Sequence, residues 1–188
     1  HYCRYLAPSS IPLPQGASNM VQSPSESTNL TDYSRNFPDS SLRSKLSDWF
    51  NNLADEAWQA WDSLQPQVAY ATRGLADGIK RGKLVNLGLE VGEQQVALVL
   101  TLTPETDEAT DAQKINILVQ LLPTGSDRTL PPNLALSLIS KKGKTLQHIT
   151  SRQQDNYIQL KSFKGKVGQQ FGINIQLGEA FVSEAFEI

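Results

Sequence analysis

Chemically reactive side chains are scarce in this chain of 188 residues. Cys3 is the one cysteine, so an intramolecular disulfide and a cysteine metal cluster are both excluded. The two histidines are His1 and His148, and neither a cysteine nor a Ser-Gly nucleophile turn lies beside His148. We therefore expect a protein that is not an enzyme, with no catalytic residues, no metal site and no cofactor.

Strong net charge and long apolar runs are also missing. The formal net charge is −2, so no overall basic field attracts nucleic acid or an anionic lipid surface. No apolar run reaches the roughly 18 residues that a membrane-spanning helix needs. We therefore expect no nucleic-acid partner and no membrane span.

Composition divides the chain into four stretches. Residues 1–38 are rich in Ser, Pro, Asn and Thr, which predicts a linker or the remnant of a missing amino-terminal region. Residues 39–66 are predicted to form a helix and 67–82 a connection. Residues 83–188 have the short alternating runs of a β domain.

The stretch 39–66 has the spacing of one long amphipathic helix. Its apolar residues recur at intervals of three and four, and a Gln-Pro pair ends the pattern. All three tryptophans, Trp49, Trp58 and Trp61, lie here beside Phe50. Two interpretations stay open: the helix packs on the β domain, or it docks a partner protein. In the packed arrangement we expect Trp58 to be the most exposed tryptophan.

The turns between the alternating runs predict the architecture of residues 83–188. Their regular spacing indicates an Ig-like antiparallel β-sandwich of about seven or eight strands. The alternation in 171–177 predicts a core strand, and the mixed parity of 146–152 predicts a bulge. The predicted fold class is therefore mainly β, a sandwich preceded by one long amphipathic helix.

Two lysine-rich turns and one acidic loop are the remaining charged features. Lys141, Lys142 and Lys144 form one predicted hairpin turn, and a second basic turn covers 161–166. If the hairpins stack, the two turns form a patch for an acidic partner or phosphate. Otherwise they protect strand edges. The stretch 104–113 lacks the ligand spacing of an EF-hand, so we expect a solvated loop there.

Several motifs resemble those of one protein family. The most specific is Ser-Arg-Gln-Gln-Asp-Asn-Tyr-Ile-Gln-Leu at 151–160, and the others lie at 46–50, 57–60, 83–88, 130–134 and 186–188. Together they resemble the carboxy-terminal part of domain-of-unknown-function family 1822, over about residues 42–188. The resemblance implies a cyanobacterial origin and a cytoplasmic location, and it implies no catalytic residues.

Three polar residues of that motif, Arg152, Gln154 and Asp155, precede a predicted strand. Side chains at such positions often pin a turn by hydrogen bonds to the backbone. Contact with a ligand or partner is the alternative interpretation.

These observations favour a non-enzymatic protein-interaction or assembly module of unknown specific role. Its candidate interaction residues are Trp49, Phe50, Trp58, Trp61, Arg152, Gln154, Asp155, Lys141, Lys142 and Lys144. The alternative is a β-sandwich that binds a small ligand or a glycan through loops at one end. We expect a protein partner, and the oligomeric state stays open.

Overall fold

Two β-sheets packed face to face form the core of the protein. A computed structural model describes residues 43–64, 78–88, 95–107 and 112–188, except for the side chains at 107 and 112. The predicted linker or remnant at 1–38 and most of the predicted connection lie outside this part of the chain. The described residues all belong to one compact unit, Thr31–Ile188.

The described elements are short at the start of the fold and longer in the sheets. In chain order they are β1 (Ser44–Lys45), α1 (Leu46–Trp49), β2 (Gln59–Ala60), α2 (Trp61–Leu64), β3 (Ile79–Asn86), β4 (Gln95–Asp107), β5 (Ala112–Pro123), β6 (Ala135–Ser140), β7 (Thr145–Thr150), β8 (Ile158–Gln159), β9 (Phe163–Lys166), β10 (Gln170–Leu177) and β11 (Ala180–Glu187).

The strands divide into two sheets. The first has the order β1-β11-β10-β6-β7, and the second has the order β2-β3-β4-β5-β8, with β9 also paired to β5. Neighbouring strands are antiparallel except β1, which runs parallel to β11 with Ser44 beside Phe186. The mainly β fold class is therefore confirmed, although the eleven described strands exceed the predicted count.

Two apolar clusters hold the sheets. The larger lies between them and is built from alternate residues of the long strands, such as Leu98, Leu100 and Ile173, all fully buried. The smaller cluster contains Ala97 and Val99, which point to the opposite face of β4 because side chains alternate along a strand. The central part of β4 is therefore buried on both faces.

Two local predictions are confirmed in the sheets, and one is wrong. The alternation of 171–177 places Phe171, Ile173 and Ile175 in the core. The predicted bulge is at Leu146, because β6 pairs with Gln147 and then with Thr145. The solvated loop expected at 104–113 is wrong for its described residues, since β4 and β5 extend through most of it as a paired ladder. Pairing across the two strands overrides the polar composition of that stretch.

The single long helix predicted from 39–66 is also wrong. Its described residues, 43–64, form two helices of four residues and two short strands instead. Asn52 has a φ of 57°, a left-handed value that helices do not continue through. The physical reason is that the apolar stripe serves two cores: Trp49 packs between the sheets, whereas Trp61 packs on the outer face of the second sheet. One straight helix cannot reach both faces of a sheet.

Candidate functional site

The segment 43–64 covers one long side of the sandwich, where β3 and β11 face each other. Trp49 and Trp58 have ring centroids 5.0 Å apart, and Trp58 lies 5.5 Å from the ring of Phe186 in an edge-on arrangement. Trp49 is 1% exposed and Trp58 3%. We call this the aromatic side, defined by Trp49, Trp58 and Phe186. Its rings close the gap between the two sheets.

Polar contacts reinforce the closure of the aromatic side. Lys83 Nζ on β3 lies 2.7 Å from Glu184 Oε1 on β11, and both side chains are partly buried. The hydroxyl of Ser44 donates to Asp55 Oδ2 at 2.8 Å, which ties β1 to the turn that follows α1. The Lys83–Glu184 contact thus joins the two sheets, and the Ser44–Asp55 contact holds the segment 43–64 together.

Helix α2 lies on the outer face of the second sheet, beside the aromatic side. Gly82 lies directly under the Leu64 side chain, which would have to shift if a Cβ were present there. Lys80 Nζ lies 3.7 Å from the ring centroid of Trp61. The ring favours the charged ammonium, whereas burial disfavours it, and burial lowers the pKa of Lys80 to about 8.

The structure reverses the expected order of exposure among the tryptophans. Trp61, at 9%, is the most exposed of the three, and Trp58 is buried by Trp49 and Phe186. Phe50 is half-buried and packs against the main core. The interaction role of these four residues stays a prediction, and a partner would have to displace 43–64 to reach Trp49 or Trp58.

The opposite long side of the sandwich is formed by β7 of the first sheet and β8 of the second. The side-chain amide of Gln147 bridges them: Nε2 donates to Lys161 O at 3.0 Å, and Oε1 accepts from Lys161 N at 2.8 Å. Five exposed cations lie along it. We call this the basic side, defined by Lys141, Lys142, Lys144, Arg152 and Lys161.

The basic side contains both polar groups of candidate residues, the lysines of the hairpin turn and the polar residues of the motif at 151–160. Lys144 immediately precedes β7, and Arg152 follows its last residue by two positions, so the groups lie at the two ends of one strand. Six residues of strand span about 20 Å. Every residue of β7 is exposed or half-exposed, including Leu146 at 54%. The predicted basic turn at 161–166 is wrong for Phe163–Lys166, which form strand β9, but Lys161 before it is joined to β7 through Gln147. A patch shared by the two predicted turns stays a prediction.

The loop after β7 is held by hydrogen bonds to the backbone. Asp155 Oδ2 accepts from Arg152 N at 2.8 Å, and the Ser151 hydroxyl donates to Pro131 O at 2.6 Å and accepts from Leu134 N at 2.9 Å. Asp155 thus pins a turn, as one of the two interpretations predicts. The side chains of Arg152 and Gln154 are exposed, and their interaction role stays a prediction.

Sequence reasoning included Lys161 only as part of the second basic turn, and it missed Tyr157 and the extent of the charge asymmetry. Residues 128–178 carry eight of the chain's 17 lysines and arginines, but Asp155 is their one acidic residue among 19 in the chain. Counting charge in windows would have found this asymmetry, which the net charge of −2 conceals. Tyr157, 52% exposed and immediately before β8, adds an aromatic ring to the basic side.

His148 lies in a polar row on the outer face of the first sheet. Its Nδ1 is 2.8 Å from the Ser137 hydroxyl, and its Nε2 is 3.2 Å from the Thr150 hydroxyl. A serine–histidine pair resembles a nucleophile with its base, but here a hydroxyl occupies the place of the carboxylate that would orient the imidazole. The row lies on an exposed sheet face and joins neighbouring strands.

Two cavities lie at opposite ends of the β4–β5 ladder. One, of about 330 Å³, is lined by Phe50, Ile115 and Val167 among others. The other, of about 300 Å³, is more polar and is lined by residues that include Asp127 and Gln153. The part of the chain that the structure describes contains no cluster of three potential metal ligands.

The fold and its two sides define a two-sheet β-sandwich protein with one sealed aromatic side and one exposed basic side. The chain belongs to the family described as "Protein of unknown function (DUF1822)", whose model matches residues 2–187. The family resemblance is therefore confirmed, and it covers essentially the whole chain rather than 42–188 alone. No curated protein and no solved structure matched the chain. None of the described helices has the length and apolar character needed to cross a membrane.

Proposed function

We propose that this protein is a non-enzymatic protein-interaction module that docks its partner on the basic side. One observation carries the proposal. The edge strand β7 is exposed along its whole length, whereas the opposite edges of the two sheets are covered by Trp49 and Trp58. Both sheets end at β7 and β8, so a partner placed there contacts the two sheets at once.

The composition of the basic side supports docking of a protein. Leu146 and Tyr157, two of the most exposed large apolar side chains among the described residues, lie within it. Aromatic residues and arginine are enriched in protein interfaces, and polar residues surround the apolar centre. Arg152 and the lysines supply such a surround.

Burial argues against docking through the tryptophans. Trp49 and Trp58 are each at most 3% exposed, and they pack on Phe186 inside the same chain. Exposing them would remove the stabilisation that comes from burying two large aromatic side chains, which is on the order of 3–5 kcal/mol for each. A partner of ordinary affinity therefore has less to overcome on the basic side.

The non-enzymatic part of the proposal rests on the surroundings of the reactive groups. Both ring nitrogens of His148 lie within hydrogen-bonding distance of hydroxyl groups, and the row is on an exposed face rather than in either cavity. Preorganised catalysis needs a site from which water is largely excluded. We also propose the cytoplasmic location and cyanobacterial origin that the family resemblance implies; a fluorescent fusion imaged in the source cells checks the location.

Site-specific photocrosslinking tests the docking surface. A photoreactive phenylalanine analogue replaces Leu146 or Tyr157 in one set of variants, and Leu53 in a matched control. Leu53 is 67% exposed and belongs to the segment that forms the aromatic side, so it reports on contact there. In cells that produce the protein, we expect one recurrent adduct from positions 146 and 157 and none from position 53. Adducts from position 53 alone would reject the proposal.

A second candidate function, binding of a small ligand or a glycan, is favoured by the two end cavities. Ligand pockets commonly occupy roughly 300–1,000 Å³, so both cavities lie at the lower limit. Calorimetric titration with a panel of mono- and oligosaccharides tests this function. Val167→Trp, which narrows the larger cavity, should abolish any binding that occurs there. Unchanged binding in that variant would exclude the larger cavity.

A further inference from the structure

We infer that the basic side recognises an acidic, extended segment of the partner protein. This inference rests on the proposed function and names the chemistry of the partner. Five exposed cations define the basic side, and Asp155 is the one acidic residue between 128 and 178. The carboxylate of Asp155 already accepts a hydrogen bond from Arg152 N, which commits one of its oxygens to the turn.

Asp155 is the one carboxylate in the loop beside this surface, and none of the five cations forms an ion pair among the described residues. The two ion pairs described in the fold, Lys83 with Glu184 and Lys164 with Glu105, both lie outside the five cations of the basic side. Opposed charges steer association and fix the register of a complex. A partner with carboxylates in matching positions supplies the missing counter-charge.

The geometry of the surface favours an extended segment. The cations flank a strand that spans about 20 Å, and six residues of extended chain cover the same distance. The backbone N–H of Ser151 donates to Leu134 O, on the side of β7 that faces β6. Because backbone groups alternate in direction along a strand, those of Ile149 also face β6, whereas those of His148 and Thr150 face away from it. These outward groups are available to an adjacent backbone.

The first half of β7 limits how much backbone can pair. The bulge at Leu146 interrupts the ladder, and the side-chain amide of Gln147 is hydrogen-bonded to the Lys161 backbone, which places Lys161 against that part of the strand. Bulges and lysines are features that protect exposed edges from indiscriminate strand pairing. Main-chain pairing is therefore confined to about residues 148–150, and side-chain charge carries the remaining recognition.

Two other occupants fit the surface less well. A second copy that docks basic side to basic side brings like charges together, which is unfavourable. Single-stranded nucleic acid needs several exposed aromatic rings beside the positive charge, and Tyr157 is the exposed ring that the basic side provides. An acidic segment with intervening apolar residues uses the lysines, Leu146 and Tyr157 together.

The test uses the full chain and a short labelled peptide of alternating glutamate and valine. We expect binding that weakens about tenfold when the salt concentration rises from about 0.05 to 0.2 M, because exposed charges are screened over that range. The combined variant Lys141→Glu, Lys142→Glu and Lys144→Glu should lose about tenfold in affinity for this peptide. It should gain affinity for a peptide of alternating lysine and valine.

Matched controls separate local recognition from net charge. The single variant Lys142→Glu should also weaken binding, whereas Lys45→Glu, which changes the net charge equally at an exposed position on β1, should leave the affinity unchanged. Arg152→Glu provides an independent variant at the other end of β7. Equal loss with Lys45→Glu, or tighter binding of an oligothymidylate than of the peptide, would overturn the inference. Crosslinks that persist from positions 146 and 157 in the triple variant would also overturn it while leaving the proposed function intact.

Discussion

The aromatic side and the basic side close the same sandwich in different ways. On the aromatic side, Trp58 meets Phe186 and Lys83 meets Glu184, so rings and an ion pair close the gap between the sheets. On the basic side, the side-chain amide of Gln147 bridges to the Lys161 backbone, and Ser151 meets Leu134 within the first sheet. Burial dominates the first side, and exposed charge dominates the second.

This difference indicates a division of roles between the two sides. A contact that buries large rings contributes to stability, whereas exposed lysines contribute little to it. The lysines are therefore free to serve recognition without a cost to the fold. If the division holds, substitutions on the aromatic side change the free energy of unfolding, and substitutions on the basic side change binding.

The largest expected effect is at the aromatic rings. Trp58→Ala should lower the free energy of unfolding by about 3–5 kcal/mol, because it empties a site in contact with Trp49 and Phe186. Tyr157→Ala on the basic side is the control and should change it by no more than about 0.5 kcal/mol. Urea denaturation followed by circular dichroism measures both. Equal losses in the two variants would refute the division of roles.

The next largest loss of stability is expected at Ser151, a buried residue in the loop that follows β7 on the basic side. Ser151→Ala removes a hydroxyl that bonds Pro131 O and Leu134 N, and Ser151 is 3% exposed. Leaving the buried Leu134 N and the partly buried Pro131 O without this partner should lower the free energy of unfolding by about 1–3 kcal/mol. Ser183→Ala, at an exposed position on β11, is the matched control. A change below about 0.5 kcal/mol at position 151 would show that water replaces the hydroxyl.

A smaller effect is expected in the pH dependence of the free energy of unfolding, through Lys80, which lies beside the aromatic side. Burial lowers the pKa of Lys80 to about 8 from an ordinary value of 10.5, so between these values the unfolded chain binds more protons than the folded one. The free energy of unfolding should therefore rise as the pH increases from about 8 to about 10.5. Denaturant melts at several pH values should show a flatter profile for Lys80→Met. An identical profile in that variant would assign the pH dependence to other groups.

The smallest expected effect is on the basic side itself. The triple variant Lys141→Glu, Lys142→Glu and Lys144→Glu should unfold within about 0.5 kcal/mol of the unsubstituted protein, since all three side chains are exposed in a turn. Thermal denaturation measures this. A larger loss would mean that the lysines support the hairpin, and their effect on binding could not then be read as recognition.

Features set by local alternation were predictable from the sequence, and features set by distant contacts were not. The core strand 171–177 and the bulge at Leu146 follow from the parity of side chains along a strand. The prediction of one long helix was wrong because apolar spacing does not reveal that Trp49 and Trp61 pack on different faces of a sheet. The candidate site divides in the same way. The lysines at 141–144 are recognisable as a turn from the local sequence, whereas the contact that brings Lys161 beside β7 crosses between the two sheets.

The parallel pairing of β1 with β11 has a consequence for how the protein folds as it is synthesised. Ser44 lies beside Phe186, which the ribosome adds 142 positions later. The β6–β7 hairpin needs only its own residues, since Ile139 pairs with Thr145, and it can form as soon as they emerge. Trp49 and Trp58 cannot be covered until β11 has been made, so the nascent chain presents to chaperones two rings that the finished fold buries.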